Sequence, residues 1–404
     1  MGGRALEGLK VLEWGGFIAA PYCAELLAQM GADLVKIESP GAGDESRRYG
    51  PFPGDRVDAE KSGLFLSLNV NKRGITLDPE KTAGKAVLLD LLTGVDIFVV
   101  NQPWIDLCAL ELDYESLHRL YPGLIVASIT PYGSTGSYKN WKGYDLNCCA
   151  LGGITSTIGY PDREPLTPPL SQGHFQAGLT AATAVMFAVL HRDLTGEGQL
   201  VDISEAEVWA TIHTGMGIQG YLEEGRVRKR SGHIVPHFPY PDVVLPCKDG
   251  SVIIDTPQNR QWGRLLTVMG NPEWANDPIF KDRIRTTDEY SDKADAYLTE
   301  WLLQHTKAEI FKLLQDARVP AAPLRTVEEV VNDEHLQQRQ FFVDVNQAEV
   351  GTLKYPGVCY QLSATPFVVE RPSPRLGEHN EEVYCGQLGY AHSEIARLRR
   401  EGAI

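Results

Sequence analysis

The sequence is poor in cysteine: seven among 404 residues, none in a CxxC pair or in the paired spacing of a zinc site. That excludes a disulfide-built fold and a zinc ribbon, and a reduced, cytoplasmic chain is the simplest reading. Cys148 and Cys149 are adjacent and read as small buried hydrophobes. Positive charge is also short, with 38 Lys and Arg against 53 Asp and Glu and a net charge of −15. This argues against general nucleic-acid binding and against an anionic membrane surface, while leaving room for a local basic patch that holds a small anion. No run reads as long enough to cross a bilayer, and the start, MGGRALEGLKVLEW, lacks the apolar core of a signal peptide. There is no GxGxxG, so dinucleotide binding gains little support. Internal repeats and low-complexity tracts are missing too.

What is present is an alternation of short apolar runs and helical patterns. LKVLE (9–13) reads as a buried strand, followed by Gly15, Gly16 and a helix over 22–30 with Pro21 in its first turn. DLVKIE (33–38) is a second strand, so the first forty residues form a βαβ unit and predict a parallel sheet. Residues 64–68 read as extended and NVNKRG (69–74) as a polar turn that sets Lys72 beside Arg73. Buried strands are expected at 95–100 and 124–130, with helices at 82–92 and 114–120. This is the pattern of a doubly wound α/β domain. The loop 133–143 carries Lys139 and Lys142. Beyond a Pro-, His- and Arg-rich stretch at 225–242, a hairpin around Lys248-Asp249-Gly250 and three helices read as a smaller α+β domain. Short strands return over 341–360.

The stretch 168–202, PPLSQGHFQAGLTAATAVMFAVLHRDLTGEGQLVD, predicts a buried helix. Gly178, Ala181, Ala182 and Ala184 permit close backbone approach, and Val185, Met186, Ala188 and Val189 recur at helical spacing. His174 falls at the start of that helix, where free N–H groups and the positive end of the dipole suit an anion. It is either an acid/base or substrate contact or simply a polar residue at a helix start. His233 and His237 lie among Arg226, Arg228 and Arg230. They are candidates for carboxylate contact, but a HxxxH pair without a third ligand is a poor metal site, and no metal is expected. Trp14, Phe17 and Ile18 occupy the first strand–helix turn, where α/β folds hold ligands. Glu378 and His379 read as structural.

Taken in order, ten segments resemble the family III CoA-transferases, the group that includes formyl-CoA transferase, carnitine CoA-transferase and α-methylacyl-CoA racemase. They are LEGLKVLE, GADLVKIESPGAGD, LNVNKRGITLD, the Asn101 segment, GYDLN, LTGEGQLVDIS, QWGRLL, GNPEWANDPIF, ARVPAAPLRTVEEVV and RLGEHNEEV. The resemblance implies a Rossmann-like large domain built from both chain ends (1–210 and 331–404). A linker and small domain (211–330) would be inserted between them, and two chains would interlock like linked rings. It implies no separate cofactor, a CoA thioester and a small carboxylic acid as substrates, and Lys72, Arg73, Asn101, Lys142 and Tyr144 near them. In such enzymes an aspartate carboxylate stores the acyl group as an anhydride and then CoA as a thioester.

At the place of that aspartate this chain has His174. Imidazole cannot become the carbonyl half of a CoA thioester, and no Asp or Glu lies between Glu164 and Asp193. Two basic positions of relatives are Ser39 and Ala109 here, and the racemase histidine position is Tyr144, beside Gly143 and Asp145. Weaker CoA binding is expected from the lost cations. Three readings stay open: a subunit supporting a homologous chain with an intact aspartate, as in benzylsuccinate CoA-transferase; an acid/base racemase or isomerase using His174; and an ordinary homodimeric transferase aligned differently. A binding or regulatory protein without a reaction is the alternative outside catalysis.

Overall fold

A computed structural model describes residues 3–404, apart from the side chains at 214–216. In chain order its first part comprises β1 (Lys10–Trp14), α1 (Ala19–Gln29), β2 (Asp33–Glu38), α2 (Gly63–Leu68), β3 (Lys72–Thr76), α3 (Thr82–Leu92) and β4 (Ile97–Val100). It continues with α4 (Trp104–Ala109), α5 (Tyr114–Leu120), β5 (Ile125–Thr130), α6 (Asp145–Leu151), α7 (Gln172–Thr195), β6 (Leu200–Ser204) and α8 (Glu205–Ile212). The six strands form one parallel sheet in the order β3-β2-β1-β4-β5-β6. The strand order reverses between β1 and β4, and the carboxyl ends of those strands open a crevice there.

Burial on both faces explains the continuous apolar strands. Val11, Leu34, Ile97, Val99 and Ile125 pack beneath α1 and α7, while Leu12, Val35, Ile37, Phe98 and Val126 pack against α3, α5 and the C-terminal residues Val383, Tyr384, Ile395 and Leu398. Segment 64–68 is helical, against the expectation of a strand, because the Ser62 side chain accepts from the Phe65 N–H at 3.1 Å and caps the turn. The supposed polar turn at 69–74 instead leads into β3, all of whose residues are buried. Its charges hid the strand, because their partners are distant in sequence.

α7 corrects a further expectation. At 24 residues it has the length and apolar composition of a membrane span. Here its small residues meet α1 and the sheet. A Cβ at Gly178 would stand 2.6 Å from the Ala19 carbonyl oxygen and 3.2 Å from the Cys23 nitrogen, both rigid backbone. Gly178→Ala is therefore expected to force α1 and α7 apart and to cost about 1–3 kcal/mol. Chemical denaturation measures it, and an unchanged midpoint would refute the close packing.

The chain divides into two compact units. The larger takes the described chain through Ile154, Thr167–Glu224 and Gln337–Ile404; the smaller takes Thr155–Leu166 and Gly225–Leu336. The breaks thus fall at 224/225 and 336/337, not at 210 and 330, and 155–166 joins the smaller unit. The larger unit also holds the antiparallel pair β10 (Phe342–Gln347) and β11 (Gly351–Pro356). In the smaller unit β7 (Asp242–Cys247), β8 (Gly250–Asp255) and β9 (Ala321–Pro323) form an antiparallel sheet. Tyr240, Trp262, Phe280, Leu298 and Ile310 build its core.

Candidate active site

Under the crevice lies a buried charge network. Lys36 donates to Glu13 Oε1 at 2.7 Å and to the Gly15 carbonyl at 2.9 Å, and forms an ion pair with Asp44 Oδ2 at 2.8 Å. Lys72 donates to Glu13 Oε2 and the Pro21 carbonyl at 2.8 Å, and to Asn69 Oδ1 at 2.9 Å. Both lysines and Glu13 are wholly buried. Burial opposes the charge on Lys36, but Asp44, Glu13 and Glu38 outweigh it and raise its pKa; on Lys72 burial wins and lowers it. These bonds fix the β1–α1 turn. Asn101, just after β4, clamps the same turn by accepting from the Gly16 N–H at 3.0 Å and donating to the Gly16 carbonyl at 2.9 Å. Phe17 follows at φ 65°, an unfavourable conformation for an aromatic residue. Its N–H donates to Asp44 Oδ1 at 2.9 Å, and its ring sits 5.0 Å from Tyr49 and edge-on to His174 at 5.3 Å.

The crevice itself is a cleft of about 770 Å³. Its walls come from the residues after β1, β2, β4 and β5, from the loop 139–144, and from His174 and Glu205. His174 stands in the first turn of α7 and is 7% exposed. Its Nδ1 lies 2.8 Å from Glu205 Oε1. Ser204 caps α8 by accepting from the Glu207 N–H, which places Glu205 at the first position of that helix, pointing back to α7. Burial lowers the His174 pKa, but the hydrogen bond and charge of Glu205, helped by Asp145 and Glu45, outweigh it and leave the pKa raised. Glu205 Oε2 is buried without a hydrogen-bond partner among the described residues. Cys148 nearby is no nucleophile: burial, reinforced by Glu205, pushes its thiol far up.

Of the residues singled out from sequence, His174, Asn101, Lys142 and Tyr144 line the cleft. Lys72 and Arg73 do not. Lys72 is consumed by Glu13, and Arg73 pairs with Asp33 at 2.7 Å and Glu382 at 3.1 Å, so neither ammonium nor guanidinium is available to a ligand phosphate. Their placement corrects the expectation drawn from the NVNKRG turn. Asp145 is held by Trp209, whose Nε1 donates to it at 3.0 Å. In the smaller unit His233 pairs with Asp295 at 2.7 Å and His237 with Asp288 at 3.1 Å. Glu205 and Arg48 escaped the sequence reading. Arg48, Lys139 and Lys142 are exposed on the cleft wall with no carboxylate partner among the described residues. Glu205 lies 31 positions from His174, and its one local signal was an acid directly after the apolar strand VDIS.

A switch-point cleft in a doubly wound sheet, with a buried carboxylate–imidazole pair at its base and cations on its wall, defines a site for an anionic small molecule. The model of CoA-transferase family III matches residues 6–380, and the chain belongs to that family. It is 34% identical to the succinyl-CoA–D-citramalate CoA-transferase of Chloroflexus aurantiacus, over 99% of this chain and 98% of that protein. It is 30% identical to the succinyl-CoA:(R)-benzylsuccinate CoA-transferase subunit BbsE of Thauera aromatica, over 100% of this chain and 98% of that one. Among solved structures, a CAIB/BAIF family protein from Brucella suis superposes with a TM-score of 0.84 at 30% identity, covering 95% of this chain and 99% of its own.

Proposed function

We propose that this chain is one subunit of an enzyme that moves CoA between carboxylic acids, paired with a homologous family III chain that carries the catalytic carboxylate. The observation that carries the reading is His174, which stands where the family resemblance places the nucleophilic aspartate. An imidazole held by Glu205 cannot store CoA as an acyl thioester, so the step that defines the transfer has to occur elsewhere. The names of the relatives suggest succinyl-CoA as donor and a small dicarboxylic acid, such as an aryl succinate, as acceptor. The CoA thioester is a substrate, and no separate cofactor is invoked.

Two features support a partner chain. Phe187, Leu190 and Leu194 on α7 are 70%, 60% and 78% exposed, an apolar stripe suited to a second chain. The relative BbsE is itself named a subunit. An interlocked dimer would let a chain lose its own chemistry while its fold still shaped the partner's site.

The test is co-expression with a family III chain bearing aspartate at the matching position. The complex is incubated with succinyl-CoA and a dicarboxylate, then trapped with hydroxylamine. We expect the CoA thioester on the partner and none on this chain, and loss of transfer when the partner's aspartate is replaced. Full transfer by this chain alone, with CoA trapped on it, would sink the reading. The contact between His174 and Glu205 favours a second, acid/base reading of this cleft.

A further inference from the structure

The His174–Glu205 pair has a defined polarity. A carboxylate only accepts hydrogen bonds, so Nδ1 carries the proton at 2.8 Å from Glu205 Oε1. That fixes the tautomer. In the neutral ring Nε2 is then the basic nitrogen, and it has no hydrogen-bond partner among the described residues while His174 lines the cleft. The edge contact with Phe17 limits rotation of the ring. This is the arrangement by which a carboxylate orients a general base. The nearby Cys148 is not a ready nucleophile for it, because burial keeps its thiol protonated and it hydrogen-bonds the Pro131 carbonyl. Water entering the cleft that His174 lines can give its proton to Nε2.

We propose that this cleft has an activity independent of any acceptor acid: His174, positioned by Glu205, delivers water to the carbonyl carbon of an acyl thioester. The water oxygen bonds the carbonyl carbon while its proton passes to Nε2. Collapse of the tetrahedral adduct breaks the C–S bond, and the imidazolium returns the proton to the departing thiolate. One water and one thioester give one carboxylic acid and one thiol, with no change of oxidation state. Exchanging a carboxylate that stores CoA for an imidazole that activates water turns transfer into hydrolysis. His174 is the catalytic base and Glu205 the positioning residue. Arg48, Lys139 and Lys142, which have no carboxylate partner among the described residues, offer cations for the anionic part of the thioester.

The charged groups acting on His174 are Glu205 from α8, Asp145 from α6 and Glu45 from the loop after β2, and all three favour its protonated form. The neutral base is therefore recruited as pH rises through a raised value, which gives the rate a rising alkaline limb.

The experiment uses the purified full-length chain, succinyl-CoA as probe, and no acceptor, so its outcome is independent of transfer by a co-expressed complex. Thiol release is followed with a thiol-reactive dye, and a single turnover is run in 18O-labelled water. We expect release above the buffer rate, one labelled oxygen in the product acid, and a drop of about 100-fold or more for His174→Gln. Glu205→Gln should keep part of the rate and shift the alkaline limb to lower pH, an effect that a merely structural role would not produce. Circular dichroism of both variants verifies the fold. Thiol release that does not depend on His174, label appearing in the Glu205 side chain, or deuterium exchange at the α-carbon without thiol release would each overturn the proposal.

Discussion

Replacing Glu13 by Gln is expected to destabilise the larger unit by about 3–5 kcal/mol, enough to unfold much of the protein near physiological temperature. Glu13 accepts from two ammonium groups, Lys36 and Lys72, and all three side chains are fully buried. Gln keeps the shape and loses the charge. Lys36 retains Asp44 at 2.8 Å, but Lys72 is left without a directly bonded carboxylate. The loss also reaches the cleft, because the same lysines hold the carbonyls of Gly15 and Pro21 on either side of the turn that bears Phe17. Adding Lys72→Met to Glu13→Gln should recover part of the stability, since removing both charges costs less than stranding one. Urea denaturation of the two variants measures this. A single variant within about 0.5 kcal/mol of the parent, the scatter of an ordinary surface change, would show that the network is not what holds the turn.

Glu25→Gln should act in the opposite direction. Burial pushes the Glu25 carboxyl up to about 8, with Lys72 opposing the rise. Gln29 Nε2 donates to its Oε1 at 2.8 Å, a bond that Gln at position 25 would preserve. The folded carboxyl holds its proton more tightly than the unfolded one. Stability is therefore full below the unfolded value and falls as pH rises toward about 8. Gln carries no such penalty. The variant should match the parent at pH well below the unfolded carboxylate value. Above the folded value it should exceed the parent by up to about 5 kcal/mol, since each tenfold difference in proton affinity is worth roughly 1.4 kcal/mol. Thermal unfolding across that range decides it. Equal melting temperatures at alkaline pH would mean that Lys72 already neutralises Glu25.

Both predictions concern residues whose importance is local in space and invisible in sequence. Nothing in DLVKIE shows what Lys36 pairs with, and only the apposition of β1, β2 and β3 brings it to Glu13 beside Lys72. The same separation explains the error over NVNKRG. Paired charges behave in a folded interior as neutral groups, while a sequence pattern counts each one as solvated. Phe17, by contrast, was legible as a residue of the switch-point turn. Its left-handed backbone and its contact with His174 were not, because they depend on Asp44 and Tyr49 from a later loop.

The sequence by itself determined the doubly wound domain, through apolar runs at strand length alternating with helical periods. It also determined the family, through ten segments in order, and it supplied the proposal that His174 stands where relatives carry a carboxylate. Tertiary structure alone decided what surrounds His174. Glu205 comes from a different strand–helix junction, brought across by the parallel pairing of β5 with β6 and the packing of α7 on α8. It also decided which cations face the cleft. Arg48, Lys139 and Lys142 reach it, whereas Lys72 and Arg73 are held in ion pairs elsewhere. The physical reason is common to both cases: a charge takes its role from the partners within a few ångströms, and those partners are set by chain folding over tens of residues.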